Sequence, residues 1–156
     1  MNTYLLLKTL HILSSVVLVG TGLGSAFYLF CVNRIRNLPA QAVVARLVVL
    51  ADWIFTTPAI ILQPLTGMIL LQLAGWPLRT PWIMWSIVLY LLAGACWLPV
   101  VWLQIEMKRM AENALANGTA LPPRYWRYAL WWQRLGYPAF IAMLGVYFLM
   151  VNKPVL

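Results

Sequence analysis

Acidic side chains are almost missing from this sequence: Asp52, Glu106 and Glu112 are the only three in 156 residues. Histidine occurs once, at His11, and cysteine twice, at Cys31 and Cys96. There is no Ser/His/Asp set, no P-loop, no dinucleotide fingerprint and no Cys/His metal spacing, which excludes the soluble-enzyme classes built on them. Charged residues of both signs make up 9 % of the chain, against roughly 25 % in soluble domains. Apolar side chains take their place: 63 % of residues are hydrophobic and the mean hydropathy is +0.83. Water is the wrong solvent for such a chain, and the sequence reads as an integral membrane protein.

Four apolar stretches are each long enough to cross a hydrocarbon core of about 30 Å. They predict an all-α, four-helix transmembrane bundle of up-down topology. The helices are expected at about 3–33, 41–74, 81–113 and 124–151, in a single domain over 1–156. Helix-stopping residues separate them: Asn37-Leu38-Pro39, Gly75-Trp76-Pro77 with Pro81, then Asn117-Gly118 and Pro122-Pro123. The first run, Leu10 to Val32, exceeds the 7–15 residues of a signal-peptide core and ends in Asn33-Arg34-Ile35-Arg36 instead of a small-residue cleavage site.

The net charge of +8 is distributed as topology signals, not as a nucleic-acid patch. Arg34, Arg36, Arg46, Lys108, Arg109, Arg124 and Arg127 belong to the first and third connections, against Arg79 and Lys153 at the other side. By the positive-inside rule this predicts a bacterial inner-membrane protein with both termini periplasmic. Trp76 and Trp82 near one boundary, with Trp126, Trp131 and Trp132 near the other, fit interfacial aromatic belts.

Small and polar residues recur at spacings of three and four on three helices, which marks the faces that turn inward. These stripes are His11, Ser14, Leu18, Thr21 and Ser25; Asp52, Thr56, Ala59, Gln63 and Thr66; and Ser86, Tyr90, Ala93, Trp97 and Gln104. Gly20-x-x-x-Gly24 lies on an adjoining surface of helix 1. Pro58, Pro64, Pro99 and Pro138 fall inside spans, where each removes a backbone hydrogen bond and frees a carbonyl one turn earlier.

Two positions carry chemical content. His11 has two readings: an axial ligand to a haem iron, with Met84, Met143 or Met68 at similar depth, or a histidine hydrogen-bonded across the bundle to Ser, Thr or a carbonyl. Asp52 is a carboxylate near mid-membrane, where an ion costs several kcal/mol unless paired. Arg134 lies at similar depth by residue count, so an Asp52–Arg134 pair is expected. Arg46, Gln63 and Gln133 are further members of a polar intramembrane site. That pair is read either as a site for an anionic group or proton, or as an ion pair that fixes helix register.

Leu7-Lys8-Thr9-Leu10-His11-Ile12, Thr56-Thr57-Pro58, Thr80-Pro81-Trp82 and the tail Val151-Asn152-Lys153-Pro154 occur in an order that resembles a family of bacterial four-helix membrane proteins of unassigned function. The tracts Leu50-Ala51-Asp52-Trp53 and Gly94-Ala95-Cys96-Trp97-Leu98-Pro99 are similar to that family's pattern as well. More distantly, the Lys-x-x-His start, the Thr-Thr-Pro element and the Lys-Pro tail resemble the oxygen-independent protoporphyrinogen oxidases of haem synthesis and the copper-resistance D-type membrane proteins. The oxidase resemblance implies haem b at His11. The chain departs from the oxidase pattern at Met84-Trp85-Ser86, where that family has His-x-Lys, and at Leu135-Gly136, where it has Asn-Glu.

These readings predict a membrane protein that binds a hydrophobic ligand in the bundle core, either haem, a porphyrin or a quinone, with any redox chemistry belonging to the ligand. The alternative is a non-enzymatic module, a partner subunit or small transporter, in which Asp52–Arg134 is structural. The expected partners are the lipid bilayer and a hydrophobic small molecule, and the sequence leaves a homo-oligomer open.

Overall fold

The computed structural model describes residues 2–154, and the described residues form helices joined by short turns, with no strand among them. Helix α1 runs Thr3–Ile35, α2 Leu38–Ala74, α3 Pro81–Ala116 and α4 Pro123–Asn152. All four are long and apolar enough to cross a membrane. At about 1.5 Å per residue they span roughly 45–55 Å, more than a hydrocarbon core of about 30 Å, so their ends project beyond it.

The helices begin and end where cap chemistry allows. Asn2 Oδ1 accepts from Tyr4 N at 3.1 Å to start α1, and Arg36, in the left-handed region at φ 56°, ends it. Asn37 Oδ1 then accepts from Ala40 N at 3.0 Å and starts α2 at once, three residues earlier than the sequence pattern places it. Pro39 does not delay this start, because the first turn of a helix needs no N–H donor. Gly75, at φ 69°, closes α2 with Trp76 N donating to Leu71 O at 3.1 Å.

Inside α2, residues Asp52–Thr56 form a π turn immediately before Thr57-Pro58. Pro58 has no N–H for the carbonyl of residue 54 and its ring crowds that carbonyl, so the widened turn relieves both. At this turn α2 changes partner. Its first half, residues 38–51, packs on α3 and the end of α1, and its second half, residues 57–74, packs on α1. The longest interface joins α3 and α4, and α1 and α4 scarcely touch along their middles.

The densest core lies at the end carrying the arginine-rich connections, built from Leu29, Val32, Ala42, Ala45, Val48, Leu103, Met107, Ala111, Tyr125 and Ala129. Alanines let the backbones approach closely, as helix association in lipid requires. Tyr125, fully buried, donates to Asn33 Oδ1 at 2.7 Å, and Gln41 Nε2 donates to the same atom at 3.2 Å, tying α1, α2 and α4 together. Tyr125→Phe is expected to destabilise the bundle by about 1 kcal/mol, the worth of one net hydrogen bond. Denaturation in mixed micelles measures this, and an unchanged midpoint would show that the knot contributes nothing.

Candidate functional site

The inward stripes meet as two polar networks at different depths. Near the far end of α1, His11 Nδ1 lies 2.7 Å from Thr66 Oγ1, and Gln63 Nε2 donates to His11 O at 2.7 Å and to Ser14 Oγ at 2.5 Å. Thr66 Oγ1 also donates to Leu62 O at 2.6 Å, which leaves its lone pairs free to accept from an Nδ1–H of His11. Gly67 lies against the ring, where a Cβ would stand 3.4 Å from His11 Cε1, in van der Waals contact. This network fastens α1 to the second half of α2.

The second network surrounds Asp52, which the π turn presents to the interior at 4 % exposure. Thr56 Oγ1 donates to Asp52 Oδ1 at 2.9 Å. The Gln104 amide satisfies both its neighbours with Nε2 toward Asp52 Oδ2 at 2.6 Å and its oxygen accepting from Trp132 Nε1 at 3.3 Å. One carboxylate thus links α2, α3 and α4 through neutral donors.

The expected Asp52–Arg134 pair is absent. Among the described residues the single salt bridge is Arg109–Glu106, on the exposed extension of α3. Arg134 is exposed and its guanidinium lies 5.6 Å from the Trp131 ring centroid. The two residues match in depth but not in direction. Trp132 points inward, and a residue two positions later on a helix faces roughly the opposite way. Arg46 is likewise exposed, and Gln63 belongs to the His11 network, so the five residues expected as one polar site are dispersed. Only Gln133 stays with Asp52, on the wall of a shared cavity.

That cavity has a volume of about 390 Å³ and takes walls from all four helices. Its lining is mainly apolar, with Leu18, Ile60, Val100 and Met143 among the aliphatic groups and seven aromatic rings from Phe27 to Phe140. Asp52, Thr56, Gln104, Gln133 and Tyr90 supply the main polar side chains. Gly22, Gly94 and Gly136 also line it, and a Cβ added at any of the three would meet nothing within 4 Å. Three helices thus present stretches of wall without a side chain. The exposed Leu23, Phe27 and Tyr137 stand on its rim in the gap between α1 and α4, so it opens sideways.

A smaller cavity of about 180 Å³ lies between α2 and α3, lined by Val49, Trp53, Thr57, Leu98 and Val101. Asp52, Trp97 and Gln104 border both spaces.

Tyr90 owes its position to a proline. Pro64 has no N–H to offer the Ile60 carbonyl, and Tyr90 from α3 donates to that carbonyl at 2.6 Å. The candidate haem donors do not converge on one space. His11 is absent from the cavity wall and Met143 is on it, while Met84 and Met68 are exposed.

Four long apolar helices with buried polar contacts and a lateral cavity define an integral membrane bundle. The chain belongs to a family described as predicted integral membrane protein (DUF2269), whose profile matches residues 5–154. Neither the comparison with curated proteins nor that with solved structures yields a match.

Proposed function

We propose that the protein binds a ring-bearing, largely apolar small molecule that reaches the cavity from the lipid, between α1 and α4. The single observation that carries this reading is the glycine-lined space. Glycine inside a helix costs about 1 kcal/mol relative to alanine. Three of them bordering one unfilled volume, from three different helices, favour a retained site over a packing accident. The volume of about 390 Å³ sits near the lower end of the roughly 300–1,000 Å³ common for small-molecule sites. It suits a one- or two-ring head group with a tail in the bilayer better than a whole tetrapyrrole. Asp52, Gln104 and Tyr90 at the wall give such a head group polar contacts, and a quinone is the neutral ligand of this shape. The arginine-rich end is assigned to the cytoplasm of a bacterial inner membrane, following the bias of basic residues.

Gly136→Leu tests the reading, because it fills the space and removes a helix glycine at once. A saturable component in the quenching of tryptophan fluorescence by a short-tailed naphthoquinone, from Trp97 and Trp132 at the wall, is expected in the native protein and lost in the variant. The variant's thermal midpoint in detergent is expected to hold or rise, with a gain of about 1 kcal/mol. Equal saturable quenching in both proteins would defeat the proposal.

A further inference from the structure

Resting on that cavity reading, we propose that the cavity selects an organic cation: a lipophilic amine or quaternary ammonium group on an aromatic or alkyl body.

The argument is one of charge complementarity. The protein carries a net charge of +8, yet no lysine, arginine or histidine is among the residues lining this cavity. Its one ionisable acid is Asp52, and the partners that Asp52 holds are the neutral side chains of Thr56 and Gln104. An ionised carboxylate offers about four acceptor positions, of which these donors fill two. The remaining positions have no cationic partner among the described residues, and Arg134, at matching depth, is turned outward over Trp131. An ion in an apolar interior is costly unless paired, so a carboxyl there either keeps its proton or takes a counterion, and a bound cation is the counterion that no lining residue supplies.

The rest of the wall decides which cation. A hard metal ion takes six or more oxygen ligands, and beyond Asp52, Thr56 and Gln104 it would have to carry most of them in as water, into a mainly apolar space. Phe27, Tyr90, Trp97, Trp132, Tyr137 and Phe140 instead give aromatic surface on several sides. Aromatic faces attract weakly hydrated organic cations through the ring quadrupole, and they tolerate the apolar substituents such cations carry. The sideways opening fits an amphiphile whose body is dissolved in lipid.

The test compares benzyltrimethylammonium with neopentylbenzene, its neutral isostere, in which carbon replaces the charged nitrogen. Binding to the full chain in zwitterionic-lipid nanodiscs is measured by equilibrium dialysis, with empty discs subtracted. With each affinity referred to the probe's own concentration in the lipid, taken from its partitioning into the empty discs, the cation is expected to bind at least about tenfold more tightly than the isostere. Asp52→Asn preserves the shape and the Thr56 contact, and it is expected to erase that preference. Gly136→Leu is expected to abolish both. If the isostere binds as tightly as the cation, or if Asp52→Asn keeps the preference, the charge inference is overturned. In that case loss of both probes in Gly136→Leu still upholds the cavity reading. If neither probe binds the native protein, or Gly136→Leu leaves both unaffected, the cavity reading falls and takes the inference with it.

Discussion

Gln104→Leu is expected to cost the bundle about 3 kcal/mol, whereas Arg134→Gln should stay within about 0.5 kcal/mol. Gln104 is the bridge between Asp52 and Trp132, so its loss strands one buried acceptor and one buried indole N–H together. Leaving a buried polar group unpaired costs about 1–3 kcal/mol, and more when the group is charged. Arg134, in contrast, touches no acid. The double change Asp52→Leu with Gln104→Leu removes both partners and should cost about 1–2 kcal/mol less than the sum of the single changes. Reversible unfolding in mixed micelles gives all four values. Strict additivity of the Asp52 and Gln104 changes, or a large loss for Arg134→Gln, would refute the network drawn here.

The second large effect concerns a carbonyl that proline leaves bare. Tyr90→Phe is expected to destabilise by about 1–2 kcal/mol, because Ile60 O then has neither a helix N–H nor a phenol to accept from. The diagnostic comparison is the same change in a Pro64→Ala background. There the residue-64 N–H returns to Ile60 O, and the phenol becomes dispensable. A loss of stability that is equal in both backgrounds would mean that Tyr90 acts through its ring and not through this bond.

Much of this was legible beforehand, because the bilayer imposes simple rules. Stripes at three- and four-residue spacing predict inward faces, and Asp52, Thr56, Ala59, Gln63 and Thr66 are all buried. Depth along a helix follows from counting residues, which made Arg134 the apparent partner of Asp52. Direction around the helix was the missing coordinate, and on the fourth helix, which shows no inward stripe and whose Trp132 reads as interfacial, the sequence does not supply it. Gln104 stood on the inward stripe of its helix, while Arg134 lay two positions from the buried Trp132. The π turn was not legible in the same way. Pro58 announces a disturbance, but the choice between a kink and a widened turn depends on what α1 and α3 offer on either side. Nor was the cavity foreseeable, since an empty volume is a property of four surfaces together. Gly94 and Gly136 each look ordinary in an apolar run.

The gap between α1 and α4 has a consequence for supply. On the reading proposed above, a compartment whose mouth is flanked by Leu23, Phe27 and Tyr137 would be filled from the acyl-chain phase. The quantity that governs its occupancy is a compound's enrichment in the bilayer, not its aqueous dose. Two molecules with equal intrinsic fit will differ in apparent potency by the ratio of their partition coefficients. A soluble fragment that matches every wall contact will therefore look inert if it never dissolves in the membrane.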